Sequence, residues 1–266
     1  MTLLDIRGLT VRTADGRTLV DDLSLTVGPG ERLGVIGESG SGKSLTTLAV
    51  LGLLPEGMTA TGSIELAGTQ IVGATEKRLT TVRGRDAAIV FQEPLTALDP
   101  LMRVGRQLAE PLRRRRRLAG GALKRAVAEA LEQVRLPEPD RIARAFPHEI
   151  SGGQRQRVAL AMALACEPKL LIADEPTTAL DVSVQAEMLA LIDTLVRERE
   201  MAVLFVSHDL AVVAKVTDRA LVMKDGRAVE EGTVEQLVRA PREEYTKALV
   251  TSARRLESAL DLRSAP

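Results

Sequence analysis

The chain is poor in residues that form cross-links or stack on ligands. Its 266 residues include one cysteine, no tryptophan, one tyrosine and three phenylalanines. A single cysteine excludes an internal disulfide and fits a reducing compartment. The 36 lysines and arginines balance 36 aspartates and glutamates, so the formal net charge is zero. A neutral chain has no overall electrostatic attraction to nucleic acid or to an acidic membrane surface.

Long apolar runs are also missing. No stretch approaches the ~20 apolar residues that a helix needs to span a bilayer. The first residues, MTLLDIRGLTV, lack the basic and long apolar segments of a signal peptide. The composition is nevertheless 45% hydrophobic, which is enough for a sizeable core. We therefore expect a soluble cytoplasmic protein with one large or two small domains.

Strand-like and helix-like segments alternate along most of the chain. The pairs Asp15-Gly16 and Asp225-Gly226 each separate two strand-like segments, which predicts two hairpins. The proline-marked stretch PEPDRIARAFP is interpreted as a loop, and the segment before it shows one apolar helical face made by Leu123, Val127, Leu131 and Val134. The alternation predicts an α/β fold whose parallel sheet is covered on both faces.

A glycine-rich stretch, GESGSGKS, lies between an apolar strand and an apolar segment of helical spacing. Its glycines let backbone N–H groups point inward, and the first helical turn adds more free N–H groups. This is the phosphate-loop pattern, in which Lys43 reaches the outer phosphates and Ser44 a magnesium ion. The alternative is a flexible surface loop that matches by chance. The candidate nucleotide-binding residues are Gly37, Ser39, Gly40, Ser41, Gly42, Lys43, Ser44 and Leu45.

Three further strands end in polar residues. KLLIADEP ends in Asp174 and Glu175, at the sheet edge where α/β proteins bind ligands. Neighbours on a strand point in different directions, which predicts two tasks. Asp174 would hold magnesium beside Ser44, and Glu175 would activate the attacking water. The alternative is a pair of exposed acids that caps a helix.

Gln92 and His208 follow other strands of this kind. Gln92 could contact magnesium or the attacking water, and His208 could sense the terminal phosphate. A structural histidine is the alternative for His208.

The stretch ISGGQRQRVAL predicts a second anion site. Ser151 can cap the helix, and Gly152 and Gly153 leave its first N–H groups uncovered. One nucleotide in one monomer need not use two such helix ends. A symmetric dimer could use both, by pairing each phosphate loop with Ser151 of the other chain. An ordinary helix cap without a ligand is the alternative.

Taken together, GESGSGKS, FQEP, ISGGQRQRV, LLIADEPTTALD and SHD resemble the ABC transporter ATPases in sequence and order. The resemblance implies a RecA-like P-loop NTPase core with an N-terminal antiparallel β subdomain and an inserted helical subdomain. It assigns residues 1–92 and 158–240 to the core, 93–157 to the helical subdomain and 241–266 to a short tail.

The same resemblance implies roles for individual residues. The catalytic residues are Glu175, the hinge-loop glutamine Gln92 and the switch histidine His208. The metal ligands are Ser44, Gln92 and Asp174. The signature motif, Ser151, Gly152, Gly153 and Gln154, together with Asp181, would complete the nucleotide site across a head-to-tail dimer that sandwiches two ATP molecules with Mg²⁺.

The sequences of these motifs are similar to those of the peptide and nickel importer group. It implies an ATPase at the cytoplasmic face of the membrane that powers import of peptides, nickel or a metal chelate. Its partners would be two membrane-spanning permease subunits, a second ATPase of related but different sequence, and an extracytoplasmic substrate-binding protein. Nucleic acid is not an expected partner. A soluble ABC ATPase that acts on nucleic acid is the main alternative, and a metabolic kinase is a third.

Three features of the chain differ from those of the peptide and nickel importer group. The tail keeps Pro241, Tyr245 and Thr246 of a Pro-x-His-Pro-Tyr-Thr element but has two glutamates in place of His-Pro. No cysteine follows Cys166, so the iron–sulfur cluster of some relatives is not expected. The first hairpin lacks the usual adenine-stacking aromatic residue and offers Val11, Arg12 and Thr13 instead.

Five consecutive arginines, Arg113 to Arg117, could contact anionic lipid or RNA. In a neutral chain, we favour a solvated segment of the helical subdomain.

Overall fold

The computed structural model describes residues 2–91, 98–177 and 181–264. The chain folds into two compact units, residues 1–75 with 202–266 and residues 76–201. None of the helices in the described ranges is long and apolar enough to cross a membrane.

The elements follow one another in a mixed α/β order. The strands are β1 Leu4–Arg12, β2 Thr18–Val27, β3 Arg32–Ile36, β4 Thr59–Leu66, β5 Thr69–Gln70, β6 Ala87–Val90, β7 Leu170–Asp174, β8 Ala202–Ser207, β9 Arg219–Lys224 and β10 Arg227–Thr233. The helices are α1 Lys43–Val50, α2 Glu76–Val82, α3 Val104–Arg116, α4 Gly120–Gln133, α5 Pro139–Arg144, α6 Gly152–Leu164, α7 Val182–Glu198, α8 Leu210–Val216, α9 Val234–Arg239 and α10 Glu244–Ser264, with a 3-10 turn at Pro147–Glu149.

An antiparallel sheet of order β2-β1-β4-β5 forms part of the first unit. Buried and exposed residues alternate along its strands, as expected for a sheet with one covered face. The predicted hairpin between β1 and β2 is confirmed, and its turn contains Gly16 at φ 86°. The sheet buries a face formed by Leu4, Ile6, Leu9, Val11, Val20, Leu23, Leu25, Val27, Ile64 and Leu66.

The phosphate-loop candidate extends from a parallel strand of the same unit. β3 lies between β8 and β9 and is parallel to both, while β10 pairs antiparallel with β9. Both faces of β3 are covered, so Leu33, Val35 and Ile36 are buried. At Gly34 a Cβ would overlap the Val213 side chain, so glycine lets α8 pack closely on the strand. The carboxyl end of β3 is therefore fixed on both sides.

The second predicted hairpin, between β9 and β10, is also confirmed. Asp225 and Gly226 form its two-residue turn at φ 49° and φ 81°. Positive φ at both positions is the geometry of a type I′ turn, for which Asp-Gly is a favoured pair.

In the second unit, β6 and β7 form a parallel pair. The apolar face predicted for α4 is confirmed, because Leu123, Val127, Leu131 and Val134 are all buried. The interpretation of PEPDRIARAFP as a loop is wrong, since Pro139–Arg144 form α5. Proline at the first helical position lacks only an N–H group that has no intrahelical partner there, so Pro139 starts the helix rather than breaking it. The short helix α2 was not predicted from the sequence.

The arginine run lies at the end of α3. The described side chains of the run, those of Arg113, Arg114, Arg116 and Arg117, are exposed. Glu110 accepts hydrogen bonds from Arg113 Nη1 at 3.1 Å and Arg114 Nε at 2.7 Å. These contacts agree with the interpretation of the run as a solvated, partly neutralised helix end.

The buried carboxylate of Asp86 forms an ion pair between the residues that precede β6 and β7. The side chain of Asp86 is 1% exposed and lies 3.0 Å from Lys169 Nζ, next to the start of β7. Burial acts to raise the pKa of Asp86, but Arg85 and Lys169 outweigh burial and leave this pKa below its ordinary value. The carboxylate therefore remains charged in the folded protein and holds both cations.

We predict that Asp86→Asn lowers the free energy of unfolding by about 1–3 kcal/mol at neutral pH. Because the folded-state pKa is lowered, this stabilisation is complete above the unfolded pKa of ~3.9 and disappears as the pH falls through the folded value. Urea unfolding at several pH values measures both effects. The exposed-pair variant Glu110→Gln is the control, with a change below about 1 kcal/mol. An equal loss for Asp86→Asn at pH 3 and pH 7 would contradict the ionic origin.

Candidate functional site

The glycine-rich loop begins where β3 ends. At Gly37 a Cβ would overlap the Met223 carbonyl oxygen and would lie 2.7 Å from Ser41 Oγ, so the close approach of β9 requires glycine. Gly40 and Gly42 adopt φ 81° and φ 96°, which side chains rarely tolerate. Gly42 is the N-cap of α1. The loop therefore curls between β3 and the helix.

Lys43 folds back over this loop. Its side chain is buried, and its Nζ donates hydrogen bonds to Gly37 O at 2.7 Å and Glu38 O at 2.8 Å. The ammonium group is thus held by two carbonyl groups of the loop, and Lys43 is itself the first residue of α1. A buried cation beside helix N–H groups is suited to a phosphate chain.

Two serines of the loop also fit a phosphate ligand. Ser41 is buried, and its Oγ has no hydrogen-bond partner among the residues that the structure describes. A buried hydroxyl of this kind normally finds a partner, and a phosphate oxygen supplies one. Ser44 lies in the first turn of α1 and is exposed, so its hydroxyl is accessible to a hydrated metal ion.

The helix α1 is predicted from apolar residues at helical spacing, among them Leu45, Leu48 and Ala49, but its buried face is different. Thr46, Thr47, Ala49 and Val50 are buried, whereas Leu45 and Leu48 are only half-buried. Thr46 can be buried because its hydroxyl donates to Gly42 O at 3.0 Å. The polar face that packs inward thus satisfies its own hydrogen bonds within the helix.

The two neighbouring acids lie at the end of β7, in the second unit. Asp174 is the last residue of the strand and is buried. The expectation that both acids lie on the strand is wrong, since Glu175 falls after it and adopts φ 48°. A positive φ on a glutamate costs of order 1 kcal/mol and marks a position with a specific requirement. The two carboxylates still have different surroundings, because Glu175 is only half-buried.

The second predicted anion site is a capped helix start. Ser151 Oγ accepts a hydrogen bond from Gln154 N at 3.2 Å, and Ser151 N donates to Gln154 Oε1 at 3.0 Å. Ser151 and Gly152 are exposed, so this end of α6 is accessible. At Gly153 a Cβ would lie 2.9 Å from Val184, so glycine lets α7 approach. The cap predicted at Ser151 is confirmed; its role towards ATP stays a prediction.

The remaining predicted site residues are placed as follows. His208 follows β8 and is exposed. Asp181 is the N-cap of α7, where its Oδ1 accepts from Val184 N at 3.0 Å. This bond, with one from Ser183, lowers the pKa of Asp181, which therefore stays charged at the helix end. Gln92 lies outside the described residues.

Two polar side chains near the motifs were missed as site residues. Gln156, buried in α6, donates to the carbonyl of Pro176, the residue after Glu175. Tyr245 of α10 accepts a hydrogen bond from Glu38 N at 3.0 Å, inside the phosphate loop. From the sequence, Gln156 is only a residue of the helix that follows the signature motif. Tyr245 matches the Pro-x-His-Pro-Tyr-Thr element of the tail, but the sequence does not indicate which residue it contacts.

Residues 20–178 match the family described as ABC transporter. The chain is 43% identical over 261 residues to the oligopeptide transport ATP-binding protein OppD of Bacillus subtilis, covering 96% of this chain and 73% of that protein. The chain belongs to the ABC transporter family. It is therefore an ATP-binding subunit with ATPase activity. The OppD of Salmonella typhimurium is 44% identical over 259 residues, covering 96% of this ABC ATPase and 77% of the relative.

A solved structure confirms the fold of this ABC ATPase. It is a dimeric post-hydrolysis state of the ATP-binding cassette MJ0796 bound to ADP and phosphate. It superposes with a TM-score of 0.77 at 28% identity and covers 87% of this chain and 98% of that one. The predicted P-loop NTPase fold is confirmed by this likeness.

The first hairpin of the ABC ATPase limits which residues could contact adenine. Val11 is fully buried and Arg12 is exposed. Of the three residues that replace the usual aromatic one, Val11 has no free surface for a base. Arg12 and the half-buried Thr13 keep exposed surface, and Arg12 could supply a cationic contact.

We predict that Gly37→Ala weakens ATP binding by about tenfold to a hundredfold, because the added methyl group pushes the loop away from β9. Isothermal calorimetry with magnesium and a non-hydrolysable ATP analogue measures the loss. Gly121→Ala, in α4, is the matched control, since its nearest neighbour is a flexible arginine end at 3.7 Å. Equal affinities for both variants would show that the close approach at Gly37 is not required for binding.

Proposed function

We propose that this ABC ATPase powers the import of peptides through a membrane permease. The observation that carries the proposal is the loop whose Gly37 and Glu38 carbonyls hold the buried side chain of Lys43, the first residue of α1. The relatives reported above are named as oligopeptide transport ATP-binding proteins, which favours peptides among the substrates considered from the sequence. Nickel and metal chelates have no comparable support.

The residues of the loop would bind the phosphate chain of ATP. Lys43 supplies positive charge, Ser41 a hydroxyl, and the backbone from Ser39 to Leu45 its N–H groups. Ser44 and Asp174, with Gln92, would hold a magnesium ion. When bound, the ion neutralises negative charge on the phosphate oxygens.

Glu175 is the proposed general base. Its carboxylate would take the proton from the attacking water, whose oxygen bonds to the terminal phosphorus while the bond to ADP breaks. His208, exposed at the end of β8, would contact the terminal phosphate. Asp174 is buried, so it is better suited to a fixed role as a metal ligand.

A head-to-tail dimer is the proposed working form. The accessible start of α6 offers N–H groups to an anion, and Ser151 caps it. The signature motif would then meet ATP bound to the phosphate loop of the other chain, with Asp181 at the contact. The similar cassette MJ0796 was solved as a dimer, which supports this arrangement.

The proposed assembly is peripheral to the cytoplasmic face of the membrane. It includes two permease subunits, a second and related ATPase, and an extracytoplasmic binding protein. Residues 93–157 would be the helical subdomain that docks on the permease, between core segments 1–92 and 158–240. The transport names of the relatives favour this assembly over a nucleic-acid ATPase.

We predict that Glu175→Gln lowers the rate of ATP hydrolysis by about 10²–10⁴, the usual contribution of a general base. The amide keeps the size of the side chain but cannot accept the proton. ATP affinity should stay within about threefold. Phosphate release by the purified transporter and calorimetry with the isolated chain measure the two quantities. Hydrolysis at a near-normal rate would remove Glu175 from this role.

A mixing experiment tests the composite site and the identity of the dimer partner. Lys43→Ala removes the phosphate-binding charge of its own chain, and Ser151→Arg blocks the phosphate position at the partner's loop. In a homodimer, an equimolar mix forms one site with both defects and one with neither, so ATPase activity returns in part. We expect no recovery, because a dimer with a different second ATPase never combines the two variants. Clear recovery would refute the heterodimer, and normal activity of Ser151→Arg alone would refute the shared site.

A further inference from the structure

One peptide group of the phosphate loop is held from both sides. This group joins Gly37 to Glu38. Its carbonyl oxygen, Gly37 O, accepts from Lys43 Nζ at 2.7 Å, and its N–H donates to Tyr245 Oη at 3.0 Å. The carbonyl and the N–H of a planar peptide point in opposite directions, so fixing the N–H also fixes where the carbonyl points. Tyr245 and Lys43 thus contact opposite sides of the same peptide group.

The Tyr245 side chain is itself held in place. Lys224 Nζ lies 5.1 Å from the centre of its ring, which is within the range of a cation–π contact. Burial raises the pKa of the Tyr245 phenol, so the hydroxyl is neutral at physiological pH and accepts from Glu38 without adding negative charge to the loop. The loop thus has a rigid, uncharged partner outside the glycine-rich segment.

The helix that carries Tyr245 is fixed to the hairpin beside the loop. The Glu230 carboxylate of β10 accepts from Arg242 N at 2.9 Å and from Glu243 N at 3.1 Å. Burial acts to raise the pKa of Glu230. The Thr246 hydroxyl and the two N–H groups outweigh burial, so this pKa lies below its ordinary value. The charged carboxylate therefore holds the start of α10 less than one turn from Tyr245.

We propose that Tyr245 is a positioning residue of the ATP site, which aligns Lys43 through the Gly37–Glu38 peptide and makes α10 a part of nucleotide binding. The proposal rests on the proposed function, since it assumes that Lys43 binds the phosphate chain. Tyr245 would thus be a residue of the ATP site that lies more than 200 positions from the loop in sequence, at the start of α10. Nothing in the phosphate-loop pattern itself requires such a residue.

The test compares the Tyr245→Phe variant with the unmodified full chain. Phenylalanine keeps the ring and its contact with Lys224 but removes the hydroxyl that accepts from Glu38. We expect the dissociation constant for a magnesium complex of a non-hydrolysable ATP analogue to rise about two- to tenfold, the effect of one hydrogen bond. The melting temperature should fall by no more than a few degrees, because only one hydrogen bond is lost and the packing of α10 is preserved.

Thr251→Ala is the matched control on the same helix. It also removes one hydroxyl, which donates to Lys247 O at 2.8 Å on an exposed side of α10. We expect its affinity for the ATP analogue to equal that of the unmodified chain. An equal loss in both variants would show that any weakening of α10 lowers affinity, and it would overturn the specific role of Tyr245.

Magnesium tripolyphosphate separates an effect on the loop from an effect on the adenine contacts. This probe has the phosphate chain without the nucleoside. Its binding should weaken in Tyr245→Phe by the same factor as the binding of the ATP analogue. A loss for the ATP analogue alone would mean that Tyr245 acts on the nucleoside, which contradicts the proposal. Unchanged binding of both probes would also overturn it while leaving the proposed function intact.

The composition of the chain offers a direct signal. Tyr245 is the only tyrosine and there is no tryptophan, so the fluorescence of tyrosine reports on this contact alone. Tripolyphosphate absorbs no near-ultraviolet light, so it can be titrated without interference. We expect a saturable change whose midpoint equals the calorimetric dissociation constant, and no change in Lys43→Ala. Constant fluorescence at saturation would contradict the link between the phenol and the loop. If the unmodified chain bound neither probe, the proposed function itself would fail.

Discussion

The geometry of the phosphate loop depends on the hydrogen bonds from Lys43 to the carbonyls of Gly37 and Glu38. These bonds need a tight loop around the Lys43 ammonium group. Such a loop needs glycine at Gly37, where another backbone group approaches. β9 approaches Gly37 so closely that a methyl group would collide with Met223 O. The hairpin of β9 and β10 is hydrogen-bonded to the segment just before α10. Tyr245 of α10 in turn accepts a hydrogen bond from Glu38 of the loop. The geometry of the loop is thus set by residues far from it in sequence.

Much of the fold could be predicted because local patterns and tertiary packing agree. The two Asp-Gly hairpins and the apolar face of α4 follow directly from turn chemistry and periodicity. Predictions failed where a short polar segment takes its structure from its surroundings. α5 has six residues and begins with a proline, so its sequence resembles a loop until the burial of Ile142 is known.

The candidate site divides in the same way. The phosphate loop and the cap at Ser151 were predictable because their residues act through local backbone geometry. The backbone of Glu175 was not, since nothing in KLLIADEP indicates that the strand stops one residue earlier and that the glutamate takes φ 48°. The contact of Tyr245 depends on a pairing across 207 positions, which no local pattern contains.

We propose that binding of ATP at Lys43 is coupled to the movement of peptides by membrane subunits. The most direct measurement is the rate of ATP hydrolysis by the complete transporter in lipid vesicles, with and without peptide and its extracytoplasmic binding protein. We expect the rate to rise only when both are present and Lys43→Ala to abolish hydrolysis. A rate that is the same with and without peptide and binding protein, or that rises instead with added nucleic acid, would contradict this coupling.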